Sequence, residues 1–490
     1  MKIRLLFFWG VLLLITACRG SDTGLDDQLR SLIKAQGLTG DPSIGRILPS
    51  IDSPKAQLGM MLFFTKGLGG DMDSACTSCH HPVLGGGDNL SLSIGSEAVT
   101  PDLLGPGRLH SPSGTHYDAG PTVPRNAPTT FNIGLWDRAL FHDGRVESLQ
   151  VTAKTNGANN SISTPDSGHG VADPNAGFNL TMAQARFPVT SPEEMRGFSF
   201  EAGNSNTALR THLVNRFNGT AGELTPNDWL IEFQKAFNNP TGTALELITE
   251  ENIFDAIGEY ERSQVFVNTP WKAYVEGNAL AISQQAKLGA VLFFSSNENG
   301  GANCVACHAG DFFTDEDFHV VAMPQIGRGK GNGTKGNDDF GRFNVTGNPA
   351  DMYAFRTPSL LNVEMTGPWN HTGSYTSLEA VVRHISNPQQ AIENYDFTQI
   401  NSFINSADML SNTRLAMAKL EADRAANVDP VLKDLNLSEE QVAQLVAFLK
   451  TLTDPCLKDR SCIGKWIPTG ASPNPDLLRV NAIGHDGNPL

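Results

Sequence analysis

Residues 76–80 and 304–308 both have the C-x-x-C-H pattern that attaches a c-type haem. The two thiols of each box can form thioethers with one porphyrin, and the adjacent histidine can give an imidazole nitrogen to the iron. A zinc half-site would need two more ligands nearby, and a thioredoxin-type redox pair does not need the trailing histidine. The sequence therefore predicts two covalently bound haem c groups. Their predicted attachment residues are Cys76, Cys79, His80, Cys304, Cys307 and His308.

The residues around the two boxes recur in the same order, which indicates an internal duplication. Each copy has an apolar helix, the haem box, a loop, a proline turn and a His-x-Gly triplet. In the first copy these flanking parts are residues 58–64, 126–132 and 142–144, and in the second they are 288–294, 356–362 and 371–373. Two homologous haem domains are the simplest explanation.

Helical periodicity dominates the elements that must position these boxes. Apolar residues recur at spacings of three and four in residues 200–217, 227–237, 245–265, 283–294 and 438–452. Strand signals are scarce, and long Gly/Pro/Asn/Ser loops cover residues 85–124, 156–179 and 327–348. We expect an all-α protein of two tandem class-I-type cytochrome c haem domains with long loops, related by internal duplication.

The N-terminus carries a targeting signal. Lys2 and Arg4 precede an apolar run at residues 5–15, and the sequence LITAC that ends at Cys18 resembles a bacterial lipoprotein cleavage box. The prediction is periplasmic localisation with a lipid on Cys18 as the link to the membrane. The alternative is a plain secretory signal that removes Cys18.

The remaining composition agrees with an oxidising compartment. Cys456 and Cys462 are close enough in sequence for a local, structural disulfide. The formal charge of −16, from 36 Lys+Arg against 52 Asp+Glu, argues against a nucleic-acid partner. Docking of a basic partner and a merely soluble acidic surface both remain compatible with this charge.

The ordered motifs resemble the bacterial di-haem cytochrome c peroxidase family, which includes the MauG-type enzymes. The similarity extends from residue 58 to 388 and includes the sequence TSPEEM at 190–195. It implies that an N-terminal haem reduces H₂O₂, that a C-terminal haem accepts electrons from a small cytochrome c or cupredoxin, and that Ca²⁺ lies between the domains. Homodimerisation is also common in this family.

The resemblance gives the following domain division. Residues 1–18 are a lipoprotein signal peptide, 19–50 a linker, 51–265 the N-terminal peroxidatic haem c domain, 266–400 the C-terminal electron-accepting haem c domain, and 401–490 a C-terminal helical extension.

The resemblance also implies individual site residues. Calcium would be held by Asn126 and by the backbone carbonyls of Thr366 and Pro368, which are the oxygen ligands that this cation prefers. His371 corresponds to a histidine between the haems, with a purely structural role as the alternative. His116 is the best match for a displaceable ligand of the first haem iron, followed by His110.

Two departures from the family pattern affect the predicted chemistry. The family motif QFWDGR is replaced by residues 140–145, LFHDGR, and Gln150 lies where a glutamate is expected. Because Gln cannot transfer a proton as a carboxylate does, we expect Glu147, one helical turn before Gln150, or His142 to be the acid–base group. Arg145 completes the predicted catalytic set.

The second departure concerns the second haem. Ile385 occupies the position of the family's Met or Tyr ligand, and Ile cannot bind iron. The adjacent His384 is the nearest candidate, and bis-His ligation would give a lower potential than Met/His ligation. A His on a helix surface is the alternative.

Three functions remain open at this point. The first is a periplasmic peroxidase. The second is a MauG-like oxidase of a protein or organic substrate, which the missing Met favours. The third is a non-catalytic di-haem electron carrier, which the altered acid–base residues would permit.

Overall fold

The computed structural model describes residues 16–115, 120–159, 161–401, 403–428 and 430–490. The helices are α1 Thr16–Ala35, α2 Pro54–Phe64, α3 Leu180–Ala185, α4 Asn206–Phe217, α5 Trp229–Ala236, α6 Ala244–Leu247, α7 Glu250–Arg262, α8 Pro270–Val275, α9 Gln284–Phe294, α10 Phe343–Thr346, α11 Leu378–Ser386, α12 Pro388–Glu393, α13 Met409–Ala425, α14 Glu439–Lys450 and α15 Arg460–Ile463. None of the helices in the described ranges is long and apolar enough to cross a membrane.

Strands are few and short within these ranges. β1 Ala139–Leu140, β2 Val146–Ser148 and β3 Ile162–Ser163 form one antiparallel sheet, and β4 Phe318–His319 pairs with β5 Phe355–Arg356. The helix-rich architecture expected from the sequence is confirmed.

The main helices begin at side-chain caps that the sequence marks clearly. Ser53, Ser283 and Ser438 accept hydrogen bonds from the backbone N–H three residues later, at the starts of α2, α9 and α14. These bonds satisfy N–H groups that have no partner inside the helix. The predicted helices 283–294 and 438–452 therefore begin close to where the pattern placed them.

Two helix pairs form the centres of the molecule's two halves. α2 packs on α7, and α9 packs on α14. A Cβ added at Gly59 of α2 would lie 1.8 Å from the Ala256 carbonyl oxygen, and one at Gly289 of α9 would lie 1.9 Å from that of Gln444. The same glycine of the LGxxLFF motif thus brings the two backbones into contact in both pairs.

The asparagine that ends each proline turn makes corresponding side-chain hydrogen bonds in the two halves. Asn132 and Asn362 have φ of 61° and 63°. The Oδ1 of Asn132 accepts from Phe266 N at 2.8 Å, and that of Asn362 accepts from Asp454 N at 2.9 Å. Both side-chain amides donate to the Phe266 carbonyl, at 3.2 and 2.9 Å. Phe266 therefore lies where the two halves meet.

The segment predicted to be a linker, residues 19–50, is not simply extended chain. Helix α1 crosses most of it, with Leu29 and Ile33 buried in the same core as α9. Asp26 lies 2.8 Å from Lys287 Nζ and accepts from the Tyr274 hydroxyl at 2.6 Å. This segment is therefore docked on the second half.

The predicted C-terminal helical extension contains α14, which packs on α9 and contributes to the same core. Its tail returns to the first half, where Asp476 Oδ2 accepts from Thr65 Oγ1 at 2.7 Å and from Trp229 Nε1 at 3.0 Å. The predicted Cys456–Cys462 disulfide is present.

Replacing Gly59 with Ala tests the contact between α2 and α7. Because the new methyl group would overlap the Ala256 carbonyl, we expect a loss of about 3 kcal/mol in the free energy of unfolding. The measurement is chemical denaturation of the haem-loaded protein.

Gly24→Ala in α1 is the matched control, since no atom lies within 4 Å of its added Cβ. It should be neutral or stabilise by up to about 1 kcal/mol. Equal stabilities for the two variants would contradict the close helix approach.

Candidate functional site

Both C-x-x-C-H boxes form short 3₁₀ turns that begin at the first cysteine. The four thiols are not in disulfides and remain available for thioether formation. His80 Nδ1 lies 3.1 Å from the Gly86 carbonyl, and His308 Nδ1 lies 3.0 Å from the Phe313 carbonyl. These contacts fix the proton on Nδ1 and leave each Nε2 lone pair for iron.

Burial lowers the pKa of both His80 and His308, which favours the neutral imidazole that a metal requires. The residues present therefore fit one haem c at each box.

The two boxes differ in exposure. Thr77 and Ser78 inside the first box are buried, whereas Ala306 inside the second is exposed. The second box is the one nearer to solvent.

Arg125 links the two halves through buried ion pairs. Its Nε and Nη2 donate to the two carboxylate oxygens of Asp339 at 2.7 and 2.8 Å, and its Nη1 donates to Asp143 Oδ2 at 2.6 Å. Burial raises the pKa of Asp143 and of Asp339, but Arg125 outweighs this effect and holds both below their ordinary value. Both carboxylates are therefore ionised at neutral pH.

Two more arginines of the second half contact the same region. This region, formed by Arg125, residues 140–145 and the second-half residues that contact them, is called the joint below. Arg342 donates to the carbonyls of Asp143 and Gly144 at 3.1 and 2.8 Å. Arg356 donates from its backbone N–H to the His142 carbonyl at 2.9 Å and from Nε to that of Phe141 at 3.0 Å. The loop 140–145 is thus held mainly by residues of the other half.

The two histidines of the His-x-Gly triplets both lie at this joint. His142 Nε2 is 3.0 Å from the Asn126 carbonyl, and His371 stacks on Phe355 with ring centroids 3.7 Å apart. Burial lowers the pKa of His142 to about 4 and that of His371 to about 3. Both rings are neutral at pH 7.

Asn126, one of the predicted calcium ligands, lies beside His371. Asn126 N donates to the His371 carbonyl at 2.9 Å, and its side-chain amide donates to Leu90 O and Ser91 O at 2.8 and 3.2 Å. This orientation leaves the Asn126 amide oxygen for a cation. Thr366 and Pro368 lie a few residues before His371 in the chain.

The structure changes the basis of the Glu147 prediction. Residues 146–148 form strand β2 and not a helical turn, so Glu147 and Gln150 do not share a helix face. Glu147 is paired with Arg342 Nη2 at 2.6 Å, and Gln150 is exposed. Arg145 contacts Asp143 Oδ1 at 3.2 Å and its guanidinium lies 3.4 Å from the Phe141 ring centroid.

The structure describes two of the three histidines that were candidates for the sixth ligand of a haem iron. His116 lies outside the described residues. His110 is buried and lies 3.4 Å from Glu97 Oε2. Both ring nitrogens of His384 are engaged, by the Tyr375 hydroxyl at 2.8 Å and the Val321 carbonyl at 2.9 Å, so iron binding would require the loss of one contact.

Glu194 is a candidate functional residue that the sequence reasoning missed. Its carboxylate interacts electrostatically with the thiols of Cys76 and Cys79 on one side and with Arg145 and Lys330 on the other. Burial raises its pKa, and the two cations oppose that increase. The sequence TSPEEM at 190–195 contains this residue, but nothing in the local pattern indicates that it is half-buried and that its neighbour Met195 contacts Cys76 of the haem box.

The backbone beside Glu194 is tightly packed. A Cβ at Gly95 would lie 2.2 Å from the Glu194 carbonyl oxygen, and Ser96 Oγ donates to the Pro192 carbonyl at 2.7 Å. Ser93 is buried, and its hydroxyl has no hydrogen-bond partner in the described part of the chain. The segment 93–96 therefore offers hydroxyl groups, and no imidazole, next to the first box.

The chain is similar in sequence to known proteins. A family model described as di-haem cytochrome c peroxidase matches residues 53–280. The methylamine utilization protein MauG of Methylorubrum extorquens is 28% identical over 381 residues, which cover 76% of this chain and 80% of that protein. The cytochrome c551 peroxidase of Nitrosomonas europaea is 26% identical over 398 residues, with 81% of this chain and 79% of that protein covered.

A solved structure gives the same fold. The crystal structure of a MauG-like protein associated with microbial copper homeostasis superposes with a TM-score of 0.54 at 23% identity. The match covers 85% of this chain and 96% of that one.

Glu261, at the end of α7, allows a test of burial next to the first box. Burial raises its pKa to about 8, above the ordinary 4.5, so the folded protein keeps a proton that the unfolded chain releases. Stability should therefore fall between pH 4.5 and 8. We expect Glu261→Gln to stabilise the protein by about 3 kcal/mol more at pH 8 than at pH 5.

Denaturation of the haem-loaded protein at both pH values checks this. Glu251→Gln, at an exposed position of the same helix, should show no such difference. A pH-independent effect of Glu261→Gln would contradict the raised pKa.

Proposed function

Because this chain belongs to the di-haem cytochrome c peroxidase family, which includes MauG, we propose that it is a peroxidase that reduces H₂O₂ to water with electrons from a small donor protein. Bound haem would supply the iron for O–O cleavage, and two haems in one chain can hold the two electrons that H₂O₂ requires. The observation that carries the proposal is the half-buried Glu194, whose chain neighbour Met195 contacts Cys76 Sγ of the first box at 3.9 Å and whose carboxylate interacts electrostatically with Arg145 and Lys330.

We propose that the two halves arose by duplication. The repeated glycine contacts of Gly59 and Gly289 and the repeated bonds of Asn132 and Asn362 support this. The first haem domain then corresponds to residues 51–265. The second corresponds to 266–400 together with α14, which fills the place that α7 has in the first half.

The acid–base role is assigned to Glu194 in this proposal. A half-buried carboxyl with a raised pKa keeps a proton on its oxygen closer to neutral pH and can deliver it to the leaving oxygen of a peroxide. Arg145 and Lys330 then stabilise the carboxylate that remains. Glu147 is less suited, because its Oε2 is already engaged by Arg342 Nη2 at 2.6 Å.

His142 has a more limited role. Its Nε2 is committed to the Asn126 carbonyl, and its pKa of about 4 makes the ring a poor proton donor at neutral pH. We assign it to the joint between the haems, with His371.

Electrons would enter at the second haem. Its box is the more exposed of the two, as Ala306 indicates. The chain from 295 to 317 carries no Lys or Arg; its acidic residues are Glu298, Asp311, Asp315, Glu316 and Asp317. A donor with a basic face would be attracted to this surface.

Calcium and localisation complete the proposal. Ca²⁺ would be held by Asn126, Thr366 and Pro368, between the two boxes. The leader 1–18 would direct the chain to the periplasm, where a lipid on Cys18 would tether it.

A MauG-like oxidase is the second candidate. Ile385 gives the second haem no Met or Tyr ligand at the family position. A second haem without Met is compatible with oxidation of an organic or protein substrate.

Glu194→Gln tests the proposed acid–base role. Because the amide cannot deliver the proton, we expect peroxide turnover to fall by about 10²–10⁴ while both haems stay attached. The measurement is the peroxide-dependent oxidation of a reduced small cytochrome, with the haem content determined from the pyridine haemochrome.

Glu193→Gln is the matched control, because it removes the neighbouring carboxylate, which accepts from Ser191 Oγ at 3.1 Å and adds to the raised pKa of Glu194, but leaves the proposed proton donor in place. Its turnover should therefore fall far less than that of Glu194→Gln. Equal turnover in Glu194→Gln and wild type would remove Glu194 from the mechanism. Peroxide consumption without oxidation of any donor cytochrome would favour the second candidate.

A further inference from the structure

A carboxylate–imidazole pair lies directly beside the second haem box. Asp315 N donates to the Cys307 carbonyl at 2.8 Å, and Asp315 Oδ2 is 2.8 Å from His319 Nε2. The Cys307 sulfur, the Asp315 carboxylate and the His319 ring lie within 4.8 Å of one another. The three side chains therefore form one compact cluster.

Local structure fixes both members of the pair. Asp315 Oδ1 accepts from Asp317 N at 2.9 Å, and His319 belongs to strand β4, where it pairs with Phe355 of β5. The exposed fractions of the His319 and Asp315 side chains are 15% and 22%. Water therefore screens this pair less than it would a surface pair.

The ring carries a positive charge at neutral pH. Burial lowers the pKa of His319, but the hydrogen bond between its Nε2 and Asp315 Oδ2 outweighs this effect and holds the pKa above its ordinary value. Burial raises the pKa of Asp315, and His319 in turn brings it below its ordinary value. The cluster does not fit a metal ion, because the Cys307 sulfur is needed for the thioether and a protonated ring has no lone pair to donate.

We propose that the His319 imidazolium, held by Asp315, raises the reduction potential of the haem attached at Cys304 and Cys307. Reduction adds an electron, and a fixed positive charge at the porphyrin periphery stabilises the reduced form. The Asp315 carboxylate also lies within 4.8 Å of the Cys307 sulfur and opposes part of this effect, so the proposal concerns the contribution that the charge of the ring makes while Asp315 stays in place.

The positive charge of His319 would offset the low reduction potential that is expected of the second haem. With Ile385 in place of a Met ligand, the potential is expected to be low. A cation at the periphery makes the second haem a better reservoir for an electron. The inference depends on haem attachment at the second box and not on the reaction that the protein catalyses.

Potentiometric titration of the haem-loaded protein, followed by optical spectroscopy, tests the inference without measuring turnover. In His319→Gln we expect the ratio of reduced to oxidised second haem, at a fixed applied potential, to fall by about tenfold. His319→Lys keeps a positive charge and should restore much of that ratio.

His212→Gln is the matched control, because His212 also lies between carboxylates, Glu201 and Glu223, but on α4 of the first half. It should leave the second haem's midpoint unchanged. An unchanged midpoint in His319→Gln, in protein with two attached haems, would overturn the inference. An equal shift in His319→Lys and His319→Gln would also overturn it, since the charge would then have no role.

Discussion

The buried guanidinium of Arg125 is the constraint on which the relation between the two halves depends. It pairs with Asp143 on one side and with both oxygens of Asp339 on the other, and all three groups are shielded from solvent. Removal of one partner from such a cluster leaves an uncompensated buried charge, which typically costs about 3–5 kcal/mol. The joint is therefore strongly specified, because sliding one half against the other would break the pairing.

The groups that act at the joint are positioned by this pairing. Arg125 precedes Asn126, whose backbone binds the His371 carbonyl and the His142 ring. Asp143 also orients Arg145, which extends toward Glu194 and the first haem box. One buried ion cluster thus connects the cation site, the interface histidines and the candidate proton donor.

Covalent chemistry and strong local periodicity were readable from the sequence. The C-x-x-C-H boxes, the helices capped by Ser283 and Ser438, and the Cys456–Cys462 disulfide all depend on short segments. Features that depend on distant contacts were not readable. Glu147 lies on a strand because β1 and β3 pair with it, although its sequence permits a helix. Glu194 is a candidate functional residue only because groups from other segments of the chain surround it.

The contacts of the segments outside the two haem halves could also not be predicted from the sequence. Residues 19–50 have no motif, yet Leu29 and Ile33 of α1 pack on the second half because that core presents an apolar surface. The tail around Asp476 reaches the first half through backbone hydrogen bonds, apolar contacts of Leu478 and Val480, and the polar contacts of Asp476, none of which periodicity reveals.

The central claim is that the two haems act as one two-electron unit across the Arg125 joint. The most direct measurement is an optical titration of the fully reduced, haem-loaded protein with H₂O₂ in the absence of any donor. The account predicts that one equivalent of H₂O₂ oxidises both haems by one electron each. Oxidation of only one haem, with the other still reduced after one equivalent, would contradict it.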